Sequence, residues 1–220
     1  NEEVSEGTSL PAGGITGDCT VVVMGEDGIL SDCINNGTVI SDNANTGGIT
    51  GSVYLSDPRY TVTIENCKNA GKVFSTNHYY AGIAADACIK TDSTLTVSGC
   101  TNEVDFTEGE GAGIVHHLAM QKGNVVLSDC VNHGKIVSSG QNAAGILCYT
   151  TNIGNDWNLE LENCENTGDI SSEVEAVGVA CFTAYYKTEE NANTSFAIRN
   201  CKNSGNLFSP TTNGYMGGIL

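Results

Sequence analysis

The triplet Cys-x-Asn recurs along this chain at Cys33, Cys67, Cys100, Cys130, Cys164 and Cys201, with Asn35, Asn69, Asn102, Asn132, Asn166 and Asn203 two residues later. A second marker, Gly-Ile or Gly-Val, interleaves with it at Ile15, Ile49, Ile83, Ile114, Ile146, Val179 and Ile219. A unit of about 30 to 40 residues repeated this often restricts the chain to stacked repeats: a solenoid, a propeller or an array.

Periodicity chooses among these. Helical repeats need apolar residues at 3.6-residue spacing, whereas here Val, Ile, Thr and Phe alternate with polar residues and turn formers. Propeller blades need about four longer antiparallel strands per unit. Each unit here holds about three short runs: one at the Gly-Ile marker, one before the cysteine such as TVTIEN or NLELEN, and one after a glycine such as GKVFS or GKIVS. The expected fold is all-β: a right-handed single-stranded parallel β-helix of about six coils, three short strands per coil, over residues 12–220. Residues 1–11, acidic and polar, read as a leader or linker and a candidate N-terminal cap. The chain stops on the opening phrase of a seventh unit, so more protein after Leu220, or a second copy stacked end to end, is expected to cover the last coil.

Positions relative to the cysteine acquire physical roles in such a coil. Three before it stand Leu30, Ile64, Val97, Leu127, Leu161 and Ile198, an inward apolar ladder. Immediately before it stands Asp32, Asn66, Gly99, Asp129, Asn163 or Asn200, residues that enter left-handed backbone most readily, so a corner is expected there. Four after it the units carry Gly37, Gly71, Gly134, Gly168 and Gly205, with Val104 as the exception. The repeated asparagine is expected to stack coil on coil with its amides hydrogen-bonded along the axis. Outward charges alternate between coils as Lys72, Asp105, Lys135 and Asp169, and Glu162 with Arg199 and Glu165 with Lys202 extend the pattern.

With 26 acidic and 9 basic residues the formal charge is −17, a field that repels phosphate backbones, so nucleic acid is not an expected partner. No apolar run approaches the roughly 18 residues of a transmembrane helix.

The phrase GGITG at 13–17 and 47–51, followed by ENCKNAGKV and its copies, resembles the GLUG-motif repeats of bacterial surface proteins over nearly all of the chain after Pro11. The resemblance implies an extracellular or cell-surface bacterial protein with no known chemistry and no catalytic residue to carry over. Ten cysteines in an exported chain invite disulfides, but six of them on one interior line have parallel side chains, which a disulfide cannot bridge. Buried free thiols are expected, and with them a reducing or anaerobic habitat.

The segment between the marker strand and the pre-cysteine strand varies most and collects aromatics. Trp157, Tyr149, Tyr185 and Tyr186 are expected to form a stacking face for a glycan, with Asp156, Glu189 and Glu190 as acceptors or as ligands for calcium; the bland alternative is that the rings cover their own loops. His116, Cys148 and Cys181 share one position in three successive coils, but lack a tight ligand spacing, so no metal site is expected and His116 reads as a satisfied histidine of the interior. The functional expectation is a non-catalytic surface or secreted domain for adhesion or display, its partner a host or microbial glycan or surface protein. The rival is a polysaccharide-active β-helix hydrolase or lyase, for which paired carboxylates on neighbouring coils are not evident.

Overall fold

The computed structural model describes residues 11–20, 27–56, 58–76, 79–139, 142–152, 154, 156–181, 184–185, 193–211 and 214–220, for 18–20, 152 and 184–185 by their backbone alone. The described chain is all-β, without helix, and each strand pairs in parallel with its equivalent one coil away. One coil runs through Thr46–Gly47, Thr50–Leu55, Thr61–Glu65, Lys68–Asn69 and Val73–Ser75 before Tyr80–Ala81 opens the next. There are thus five strands per coil instead of three; the two additional pieces are two residues long, too short to leave a period-2 signal in the sequence. The sheet before the cysteines has six strands in register, β-solenoid rungs joined by five turns.

The repeated positions do the work their chemistry suits. Leu30, Ile64, Val97, Leu127, Leu161 and Ile198 align rung on rung, and the four inner members are fully buried. Asp32, Asn66, Gly99, Asp129, Asn163 and Asn200 all turn the corner in the left-handed region, with φ between 52° and 60°. The asparagines form one unbroken amide chain, each Nδ2 donating to the Oδ1 of the next coil from Asn35 through Asn69, Asn102, Asn132 and Asn166 to Asn203, at 2.7–3.0 Å. Against this ladder lies the marker glycine: a Cβ on Gly82 would stand 2.2 Å from the Gly113 carbonyl oxygen and 2.7 Å from Asn102.

The glycine after the cysteine has a different reason. A Cβ on Gly71 would sit 1.8 Å from the carbonyl oxygen of Gly37 in the coil beneath. Where Val104 replaces it, the sheet that follows is interrupted: it divides into one two-stranded and one three-stranded piece, and Phe106 keeps only an isolated bridge to Ile136.

Three buried apolar clusters fill the interior, two of them the main cores. The larger packs the strands after the marker against those before the cysteine, and the smaller gathers Val73, Tyr80, Phe106, Ile136 and Ile170. The nine described cysteines are free. Those of the ladder point their Sγ at carbonyls, Cys100 at Ile64 and Ser98 (3.5 and 3.4 Å). Hydrogen bonding to the neighbouring thiols, then burial, pushes the Cys130 thiol well up, so it stays neutral. Of the expected outward pairs, Lys202 meets Glu165 at 2.7 Å, and Arg199, in register with Glu162, reaches Glu160 instead; along the line of Lys72, Asp105, Lys135 and Asp169, Asp105 accepts the Lys135 backbone N–H at 2.7 Å and Asp169 that of Asn206 at 2.8 Å. No helix among the described residues is long and apolar enough to cross a membrane.

Candidate functional site

The expected stacking face does not form around Trp157. The strand Trp157–Glu162 alternates so that Trp157, Leu159 and Leu161 point inward, and Trp157 is 2% exposed with its Nε1 donating to the Gly154 carbonyl at 3.1 Å. A ring held in the core cannot stack on a sugar, and its period-2 spacing with two leucines was the signal for this. Asp156 holds a corner at φ 62°, its Oδ1 accepting the Asn193 N–H at 3.1 Å. Tyr185 is described only by its backbone, paired with Asn152, and Tyr186, Glu189 and Glu190 lie outside the described residues. Of the expected set, Tyr149 does face an open site.

That site arises from a break in alternation. In the strand Val115–Met120, Val115, Leu118 and Met120 all belong to the larger core. The two residues between Val115 and Leu118 therefore turn to the other side, and the register skips His116 while pairing His117 with Asp86 and Tyr149 on the flanking coils. His116 thus stays buried, as the sequence suggests, but it lines a cavity beside the larger core, and its ring nitrogens are left without partners, contrary to the expectation of a satisfied histidine. Its equivalents in the next two coils, Cys148 and Cys181, belong to a separate small buried cluster with Ala81, Ala112, Ala144 and Val177. Small residues there let the two strands on either side of the marker approach closely.

One wall comes from Tyr79 and Glu110, just ahead of two-residue strands, and from Asn142, level with them at the start of the strand Asn142–Ala144; the other comes from Tyr149, in register with His117 and, one coil further, Asp86. Tyr79, Glu110, His116, Asn142 and Tyr149 line a cavity of about 200 Å³. The rings run along the axis. Tyr79 stacks on His116 (4.5 Å between centroids, 16° between planes) and lies 5.3 Å from His117, which lies 5.3 Å from Tyr149. His117 is held in place from both ends, Nδ1 at 2.7 Å from Asp86 Oδ1 and Nε2 at 3.0 Å from Thr151 Oγ1. A carboxylate only accepts, so Nδ1 carries a proton in this arrangement.

Electrostatics in the groove follow from burial and from acid. His116 is 1% exposed and neither ring nitrogen has a hydrogen-bond partner. Burial first, and the neighbouring His117 second, hold its imidazole down at about 3, so it is neutral. Burial, then the charge of Glu110, pushes the Tyr79 hydroxyl up, and burial pushes the Cys148 thiol well above its ordinary value. His116, Cys148 and Cys181 do stand at equivalent positions in successive coils, as the sequence suggests. Among the described residues, no three His, Cys, Asp or Glu side chains converge to hold a metal ion.

Tyr79, Glu110, Asn142 and Asp86 escape sequence reasoning because they come from successive coils, and nothing in their local spacing marks them. The doubled histidine at 116–117 was the visible signal, since a strand with one inward position cannot bury two adjacent imidazoles. No protein-family model, no curated protein and no solved structure matches this chain.

Proposed function

We propose that this protein is an extracellular or cell-surface bacterial repeat domain whose outer groove binds a carbohydrate. The observation that carries this reading is the set of rings Tyr79, His116 and Tyr149 beside Glu110 and Asn142 in one cavity, with His117 packed between the two tyrosines. Aromatic faces cover the apolar face of a sugar ring, while a carboxylate and an amide take its hydroxyls. The resemblance to GLUG-motif repeats supports the surface location, and the free, buried thiols suit a reducing habitat.

A second reading, hydrolysis, draws on one observation: Asp86, His117 and Thr151 make a carboxylate–imidazole–hydroxyl chain on the rim of the groove, the order of groups that activates a nucleophile. One experiment separates the two. The purified domain is applied to a broad glycan array with and without calcium, and reducing-sugar release is followed in the same wells. Binding that Tyr149→Ala removes, without product, supports the binding domain; released sugar that Thr151→Ala abolishes supports the enzyme; no binding and no turnover refutes both.

A further inference from the structure

We infer that the groove recognises its ligand through a protonated amine, and that the ligand is an amino sugar. This rests on the carbohydrate reading above and names the substrate class of that same site.

The lining decides the charge of the ligand. The described residues around the cavity are two tyrosines, a histidine, a glutamate and an asparagine, with no lysine or arginine among them. The faces of aromatic rings carry negative potential and attract cations within about 6 Å of the ring centre. Glu110 brings a carboxylate whose field reaches both Tyr79 and Cys148; Glu175, one coil further along the same wall, also acts on Cys148. Asp86 supplies a third carboxylate, engaged with His117. A uronate or a phosphate placed here would meet repulsion from these carboxylates, strengthened by the −17 charge of the whole chain. A neutral sugar would gain hydrogen bonds but no charge attraction. An ammonium group gains from the rings and from the carboxylates together.

The size and the floor decide the rest. About 200 Å³ is below the 300–1,000 Å³ of pockets for drug-sized molecules, and suits one ring. His116 is buried in the floor with neither nitrogen bonded, although buried polar groups in folded proteins are almost always paired. Folding alone does not require an imidazole there, since the same floor position is alanine at Ala85 and cysteine at Cys148. A neutral imidazole offers one donor and one acceptor, which matches a sugar hydroxyl and not a bare ammonium.

The test is calorimetric titration with glucosamine, N-acetylglucosamine, glucose and choline at pH 6.5. Glucosamine is expected to bind at least tenfold more tightly than N-acetylglucosamine or glucose, and to weaken severalfold when salt rises from 50 to 500 mM, as a charge interaction does. Glu110→Gln, which keeps size and hydrogen bonding, is expected to remove most of that preference while leaving the circular dichroism spectrum and melting temperature unchanged. Tyr149→Leu is expected to weaken glucosamine binding about tenfold. Equal binding of glucosamine and the two neutral sugars would overturn the amine and leave the carbohydrate reading standing. Choline bound and glucosamine ignored would overturn the sugar, and binding of none of the four would overturn the inference together with the reading beneath it.

Discussion

The amide ladder allows a sharp test of how this solenoid is held together. Asn102, fully buried, accepts from Asn69 Nδ2 at 3.0 Å and donates to Asn132 Oδ1 at 2.9 Å and to the Val104 carbonyl at 3.0 Å. Asn102→Ala removes three hydrogen bonds at about 1 kcal/mol each, and deprives a buried amide N–H and a buried amide oxygen on the flanking coils of a partner, adding about 1–3 kcal/mol. The expected loss is about 4–6 kcal/mol. Asn203, half-buried, keeps the same chemistry with fewer partners, accepting from Asn166 at 2.8 Å and donating to Gly205 at 3.1 Å. Its replacement by alanine is expected to cost only about 1–2 kcal/mol, because water reaches the groups it leaves. Urea denaturation followed by circular dichroism measures both, with the slope checked so that a change in cooperativity is not mistaken for a change in stability. A central cost within 1 kcal/mol of the peripheral one would refute the reasoning, since the ladder would then act as surface polarity does.

Other expectations follow from single residues. Trp157→Ala should cost about 3–5 kcal/mol by cavity formation while the remaining folded protein binds ligand as before; loss of binding at unchanged melting temperature would show that the ring is exposed after all. The imidazole of His116 is held at about 3 in the folded chain and near 6.5 in the unfolded one, so the unfolded chain takes this proton first. Stability is therefore undiminished above pH 6.5 and lost as pH falls toward 3, and His116→Phe should gain on the parent in urea midpoint between pH 7 and pH 4; a constant gap would refute the assignment. Pulsed alkylation with mass spectrometry should label half-buried Cys33, Cys88 and Cys201 before Cys67, Cys100, Cys130, Cys148, Cys164 and Cys181, and uniform labelling would contradict the burial order.

What was legible in the sequence and what was not divides along one physical line. A repeat writes its stacking rules into every copy: the left-handed corner before each cysteine, the inward Leu, Ile or Val three residues earlier, and the asparagine ladder are each stated six times, and a rung that broke them would clash with or unpair from its neighbours. The sequence by itself therefore determined the parallel solenoid, its register, and the buried thiols. The groove is stated once. It depends on the broken alternation at 116–117 and on which outward side chains fall opposite one another across the marker. Those are relations between residues about 30 apart in sequence and one coil apart in space, so only the tertiary structure could bring Tyr79, Glu110, His117 and Tyr149 to one face.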